Sequence, residues 1–146
     1  MGLRDRIVTD REMEEKGVWF KVLDTGVRFL TRRYHGGNVD AMNAMRELAD
    51  RHTTTDANGK PTVETDSSSY EEGLFEVWAN HVFLDWEGVT AYDIDPEQPE
   101  EEIPYSPEAC VALMKAIPET FAVLSVEAVS RENYLAALRK EKAGNS

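Results

Sequence analysis

The sequence predicts an α+β fold, mainly α-helical, in which a small N-terminal β-hairpin is followed by about four helices. Three observations lead there. Two runs rich in β-branched and aromatic residues, 18–23 and 27–32, flank the turn sequence Asp24-Thr25-Gly26. From residue 39 onward, apolar residues recur at helical spacing in four separate stretches. Residues suited to helix starts stand ahead of those stretches, among them Asn38, Ser68, Ser106-Pro107 and Pro118.

Each element has a local reason. Thr9 and Glu12 have the spacing of a capping box, so 9–16 reads as a short helix that Gly17 ends. In the hairpin, 17–34, Arg28 and Arg32 fall on one face at period two, which predicts a wet side. His35-Gly36-Gly37-Asn38 breaks the strand and caps a helix over 39–52, with Met42, Met45 and Ala49 on one face and Leu48 beside it. The stretch 53–67 is polar around Asn58-Gly59-Lys60-Pro61 and reads as a mobile loop. Ser68 with Glu71, or Ser69 with Glu72, restarts a helix over 69–85. Leu74, Val77, Trp78, His81 and Val82 form its stripe, with Phe75, Ala79 and Phe83 on the adjoining face.

After Gly88 the chain turns acidic over 93–102. Ser106 and Pro107 then open a helix over 107–117, whose stripe is Cys110, Leu113, Met114 and Ile117. Pro118 ends that helix and starts the last one, over 119–141. There Phe121, Leu124, Ala128, Leu135 and Leu138 keep a near-heptad spacing that Arg131 interrupts. No repeat or linker divides the chain. A single domain is expected over 1–146, with an N-terminal segment 1–16, the hairpin 17–34, a helical region 35–142 and a frayed tail 143–146.

Charge narrows the function classes. The net charge is −12, and it is unevenly placed. Between residues 61 and 114 there are 14 Asp and Glu and not one Lys or Arg, whereas the flanks nearly balance. Phosphate contacts need Lys and Arg, so this region is not expected to bind nucleic acid. A basic protein partner, mimicry of DNA, or simple solubility remain open. No run of 18 apolar residues is present, so no membrane span is expected. The first residues carry no apolar signal core, and Arg6 stands where myristoylation wants Ser or Thr. The single cysteine, Cys110, excludes an internal disulfide and fits a reducing cytoplasm.

The inventory for catalysis is poor. His35, His52 and His81 are far apart, and no serine sits in a nucleophile elbow. Cys110, in an apolar stripe, reads as a small buried residue rather than a nucleophile. His81 has no second ligand at i+4. Asp93, Asp95 and Glu97 resemble the first ligands of a calcium loop, but Gln98 stands where glycine is needed and Pro104 where the bidentate glutamate belongs. The glycine pair at 36–37 lacks the lysine of a phosphate loop and the third glycine of a dinucleotide fingerprint. No enzyme activity, metal site or cofactor is expected.

The stretch around Trp86 carries a resemblance. An apolar run, Val82 to Leu84, leads into Trp86-Glu87-Gly88-Val89; the acidic segment 93–102 follows, then Ile103-Pro104-Tyr105-Ser106-Pro107-Glu108, Ile117-Pro118 and a late aromatic, Tyr134. Over about residues 80–135 this resembles the small acidic tail assembly chaperones of long-tailed bacteriophages. Tyr134 stands where phenylalanine is more usual in that family. The N-terminal hairpin and Arg32-Arg33 are similar to the start of such proteins, less specifically.

The resemblance implies a mostly helical fold with a small β element and a non-enzymatic role in the host cytoplasm. It implies that the chain binds the phage tape measure protein and keeps it soluble while the tail is built. It also implies a longer form made by ribosomal frameshifting. Self-association is a further contact left open. Phe75, Trp78, Phe83, Trp86, Tyr105 and Phe121 are the candidate partner-binding residues. Trp86 and Tyr105, with Pro104, are also expected to pin together the two ends of the acidic crossover. Two other roles stay open: a structural virion component such as a neck or tail-completion protein, and an acidic inhibitor directed at the host.

Overall fold

A computed structural model describes residues 11–144. The cap assigned to Thr9 and the last two residues of the tail lie outside them. In chain order the elements are α1 (Arg11–Lys16), β1 (Val18–Lys21), β2 (Arg28–Thr31), α2 (Val39–Arg51), β3 (Thr53–Thr55), β4 (Pro61–Val63), α3 (Ser68–His81), β5 (Phe83–Glu87), α4 (Ala91–Ile94), α5 (Pro107–Ala116), α6 (Pro118–Val129) and α7 (Arg131–Gly144).

This corrects the expected architecture of one N-terminal hairpin and about four helices. The described residues form seven helices and five strands in two sheets. The hairpin is not a separate unit. β5 joins it to make an antiparallel sheet in the order β1-β2-β5, with β2 in the middle. The predicted helix over 69–85 therefore stops early, at His81, and its last part is a strand. Two causes meet there. Val82 leaves helical geometry at φ −120° and ψ −53°. Beyond it Phe83 and Trp86 are buried while Leu84 and Asp85 face out, which serves β2, whose second edge would otherwise be unpaired. Short apolar runs fit both periods, and here a tertiary neighbour chose the strand.

Residues 53–67, expected as a mobile loop, hold the second sheet, a β3–β4 hairpin exposed on both faces. Its turn is tied by the Asp56 carboxylate, which accepts from Asn58 N and Lys60 N at 2.8 and 2.9 Å. The long last helix is also two helices. Ser130 adopts an extended conformation, and its hydroxyl accepts from Asn133 N to cap α7. Asn133 in turn donates to the Glu127 carboxylate at 2.6 Å.

Two other local expectations, the caps at Asn38 and Ser106, hold, and a third shifts by one residue. Asn38 caps α2, accepting from Ala41 N, and its amide also donates to the carbonyls of Arg33 and His81. Ser106 caps α5, with Pro107 in its first turn. The α3 cap is Ser67, one residue before the expected pair, with its hydroxyl accepting from Tyr70 N. α1 is held to the rest through Glu14, which pairs with Arg33 at 2.8 Å. α7 is anchored by the buried Tyr134, whose hydroxyl donates to Thr31 O at 2.9 Å while its ring meets Phe20 edge-on.

The core lies between the sheet and helices α2, α3, α5 and α6. Its centre is a continuous series of ring contacts at 5.0–5.7 Å between centroids: Tyr105, Trp86, Phe29, Phe83, Trp78, Phe121 and Phe75. Tyr34 stacks on Trp78 at 4.6 Å. At Gly88, φ is +83° and an added Cβ would run into the Gly26 carbonyl, so the end of β5 and the β1–β2 turn approach as only glycine allows.

Trp86→Ala removes a ring that is 5% exposed. Denaturant melts should show a loss of about 3–5 kcal/mol. Gly88→Ala should cost at least about 1–3 kcal/mol through the left-handed backbone alone, read in the same melts.

Candidate functional site

The acidic crossover is an ordered loop closed at its base. Ile103 N donates to Val89 O, Ala91 N to Glu101 O and Tyr92 N to Pro99 O, so its two limbs pair like short strands. Thr90 and Asp93 form a capping box at the start of α4, the Asp93 carboxylate accepting from Thr90 N at 2.8 Å. Asp95 accepts from Glu97 N at 3.0 Å. These two carboxylates brace the loop backbone. Among the described residues no group of three His, Cys, Asp or Glu could hold a metal ion.

Trp86 and Tyr105 pin the crossover from below. The Trp86 indole N–H donates to Ile103 O at 2.8 Å, and its ring meets Tyr105 edge-on at 5.1 Å. The Tyr105 hydroxyl donates to Ala79 O, with Phe83 O sharing it at 3.2 Å. Pro104, expected to help, is exposed. Its place in the chain separates the Ile103 carbonyl from the Tyr105 ring.

The six candidate partner-binding residues are brought together, though inside the molecule. Phe75, Trp78, Phe83 and Trp86 are buried; Tyr105 and Phe121 are partly buried and packed on the same core. They are six members of the aromatic series described above. Phe75, Trp78, Phe83 and Trp86 are thereby withdrawn from the surface, while Tyr105 and Phe121 stay partly exposed.

One apolar surface open to a partner lies elsewhere. A groove of about 200 Å³ runs between the β1–β2 turn and the junction of α5 with α6. Val22, Leu23 and Val27 form one wall. Leu113, Ile117 and Val123 form the other, where the chain bends by 113° between α5 and α6. Val89 contributes from the root of the crossover. Two acids, Asp93 and Glu119, line it, and no base does. Of the bases on neighbouring elements, Lys21 precedes Val22 and is exposed, and two others are paired with acids outside the lining. Arg28 bonds Glu87 at 2.6 Å and lies over the Trp19 ring, and Lys115 reaches Glu72 at 3.5 Å.

Leu23 stands out in this groove. It is 68% exposed and has φ +54°. A branched residue in that region costs about 1–2 kcal/mol. The turn around it is closed by Val22 N to Val27 O and by the Thr25 hydroxyl on Val22 O. A purely structural turn would favour Gly or Asn at this position. Sequence reading missed Leu23 because the turn signal of Asp24-Thr25-Gly26 made it look like the last residue of a strand.

A family model described as YdaY prophage protein matches residues 37–145. The chain belongs to that family. No curated protein and no solved structure matches it. It is thus a phage-derived protein. The part shared with the YdaY prophage family covers α2 through α7, including the crossover and the α5–α6 wall of the groove, while the β1–β2 wall precedes it.

Burial raises several groups that ionise in alkali, Tyr34 among them. Burial pushes the Cys110 thiol from 9.0 up to about 12, partly offset by its hydrogen bond with Tyr105. Burial likewise raises the Tyr105 and Tyr134 hydroxyls well above 10.0. The unfolded chain ionises these groups at their ordinary values, so the stability they confer is fully present below about pH 9 and is lost as pH climbs through the folded values. Denaturant melts should therefore weaken between pH 9 and 12. A thiol reagent at pH 8 should label Cys110 only on unfolding, and rapid labelling of the folded chain would contradict the buried site.

Proposed function

We propose that this chain is a non-enzymatic phage tail assembly chaperone, acting in the host cytoplasm to hold the tape measure protein soluble during tail assembly. The observation that carries the reading is an open apolar groove with an acidic lining in a phage-derived chain. The resemblance of residues 80–135 to tail assembly chaperones supports it independently. A holder of amphipathic helices needs a surface for the client's apolar stripe. It also needs net charge to keep the complex apart from others, and the chain carries −12.

The six core aromatics support the reading indirectly, by shaping the frame on which the groove sits. Affinity would come mainly from the apolar walls, since exposed ion pairs are worth about 0–1 kcal/mol each. The acids would set solubility and encounter rate.

Co-expression with the tape measure protein of the same phage is the test. The expected outcome is a soluble complex that survives gel filtration, with association slowed by salt more than release is quickened. A tape measure protein equally soluble without this chain, and no complex on the column, would sink the assignment. Recovery of the chain in stoichiometric amounts from purified virions would favour a structural component instead.

A further inference from the structure

We infer that the groove between the β1–β2 turn and the α5–α6 junction takes a single large apolar side chain from a partner helix that carries Lys or Arg one turn away. This deepens the chaperone reading and rests on it for the partner's identity. Volume sets the first half of the ligand. An apolar cavity of roughly 150 Å³ holds a benzene ring, and drug-sized pockets begin at about 300 Å³. At about 200 Å³ this groove fits one phenylalanyl or leucyl side chain and excludes a whole folded element.

Charge sets the second half. Asp93 and Glu119 line the groove with no base among the lining residues. The Asp93 carboxylate is already fixed by Thr90, through the backbone N–H at 2.8 Å and the hydroxyl at 3.1 Å, so it presents a held charge rather than a searching one. Glu119 sits in the first turn of α6, at the mouth of the bend. Residues three or four apart lie on one face of a helix, so an apolar anchor with a cation at that spacing meets groove and acid together.

Leu23 provides the third observation. Its left-handed backbone and exposed side chain are unfavourable for a turn by itself, and both are accounted for if the side chain closes over a partner residue. Function and stability then pull in opposite directions at this position.

The test uses the purified full chain and a capped helical peptide bearing one Phe with Lys at three and four positions to either side. Fluorescence anisotropy should show binding, lost when Phe becomes Ala and when the lysines become Glu. Leu23→Gly should melt at the same temperature as the parent chain or higher, yet bind the peptide about tenfold more weakly, the size expected for one withdrawn leucyl contact. Glu119→Lys should weaken the lysine peptide and recover binding to the glutamate peptide.

Equal binding of the lysine and glutamate peptides by the parent chain, or unchanged affinity in Leu23→Gly, overturns the inference. So does a parent dimer that Leu23→Gly converts to monomer, because a second copy would then be the occupant. The two readings fail separately. If Leu23→Gly keeps the tape measure protein soluble as well as the parent does, the chaperone stands and the groove is not its site. If the peptide binds as described but the tape measure protein never does, the groove stands and the chaperone reading falls.

Discussion

The contact between Phe29, Phe83 and Trp86 is what the rest of the structure depends on. Phe29 is the buried aromatic residue of the central strand, and both other rings come from β5. Phe29 meets Phe83 at 5.1 Å and Trp86 at 5.6 Å, both edge-on, the arrangement that ring quadrupoles favour. Because Phe83 and Trp86 are three residues apart yet share one face, β5 carries an extra residue, Leu84, opposite the step from Leu30 to Thr31. That small irregularity lets one strand touch two parts of the core. Phe83 passes the packing on to Trp78 and the helices, and Trp86 passes it to Tyr105 and the crossover.

The same contact determines where the open apolar surface lies. β5 ends at Gly88, whose backbone meets the β1–β2 turn at Gly26. The crossover then leaves from Val89 and returns at Ile103, which is hydrogen-bonded back to Val89. The chain next enters α5 and bends at Ile117-Pro118. The hairpin turn and this bend are thus held a fixed distance apart by buried rings. The groove between them is a consequence of that spacing, and its acids come from the two elements that start there, α4 and α6.

Polar groups in this frame are mostly used to close chain ends. Asn38 ties α2 to the end of α3, Tyr134 ties α7 to β2, and the Trp86 indole ties the crossover to β5. Each is a buried or half-buried donor aimed at a backbone carbonyl, which satisfies a group that would otherwise be costly to bury.

The sequence by itself determined the features that depend on neighbours in the chain. The caps at Asn38 and Ser106, the break at Gly17, the β1–β2 turn and the helices over 39–52 and 107–117 follow from local hydrogen bonding and dihedral preference. The pinning of the crossover by Trp86 and Tyr105 was legible as well, because a large aromatic at each end of a charged loop has few other uses. Tertiary structure alone decided the rest. Phe83 to Glu87 became a strand because β2 offered an unpaired edge, and the hydrophobic spacing there suited either period. The six aromatics expected as partner contacts each pack against another ring, which no spacing along the chain reveals. The groove, and Leu23 at its mouth, exist only once residues about ninety positions apart are packed together, and that distance is where sequence reading loses its physical basis.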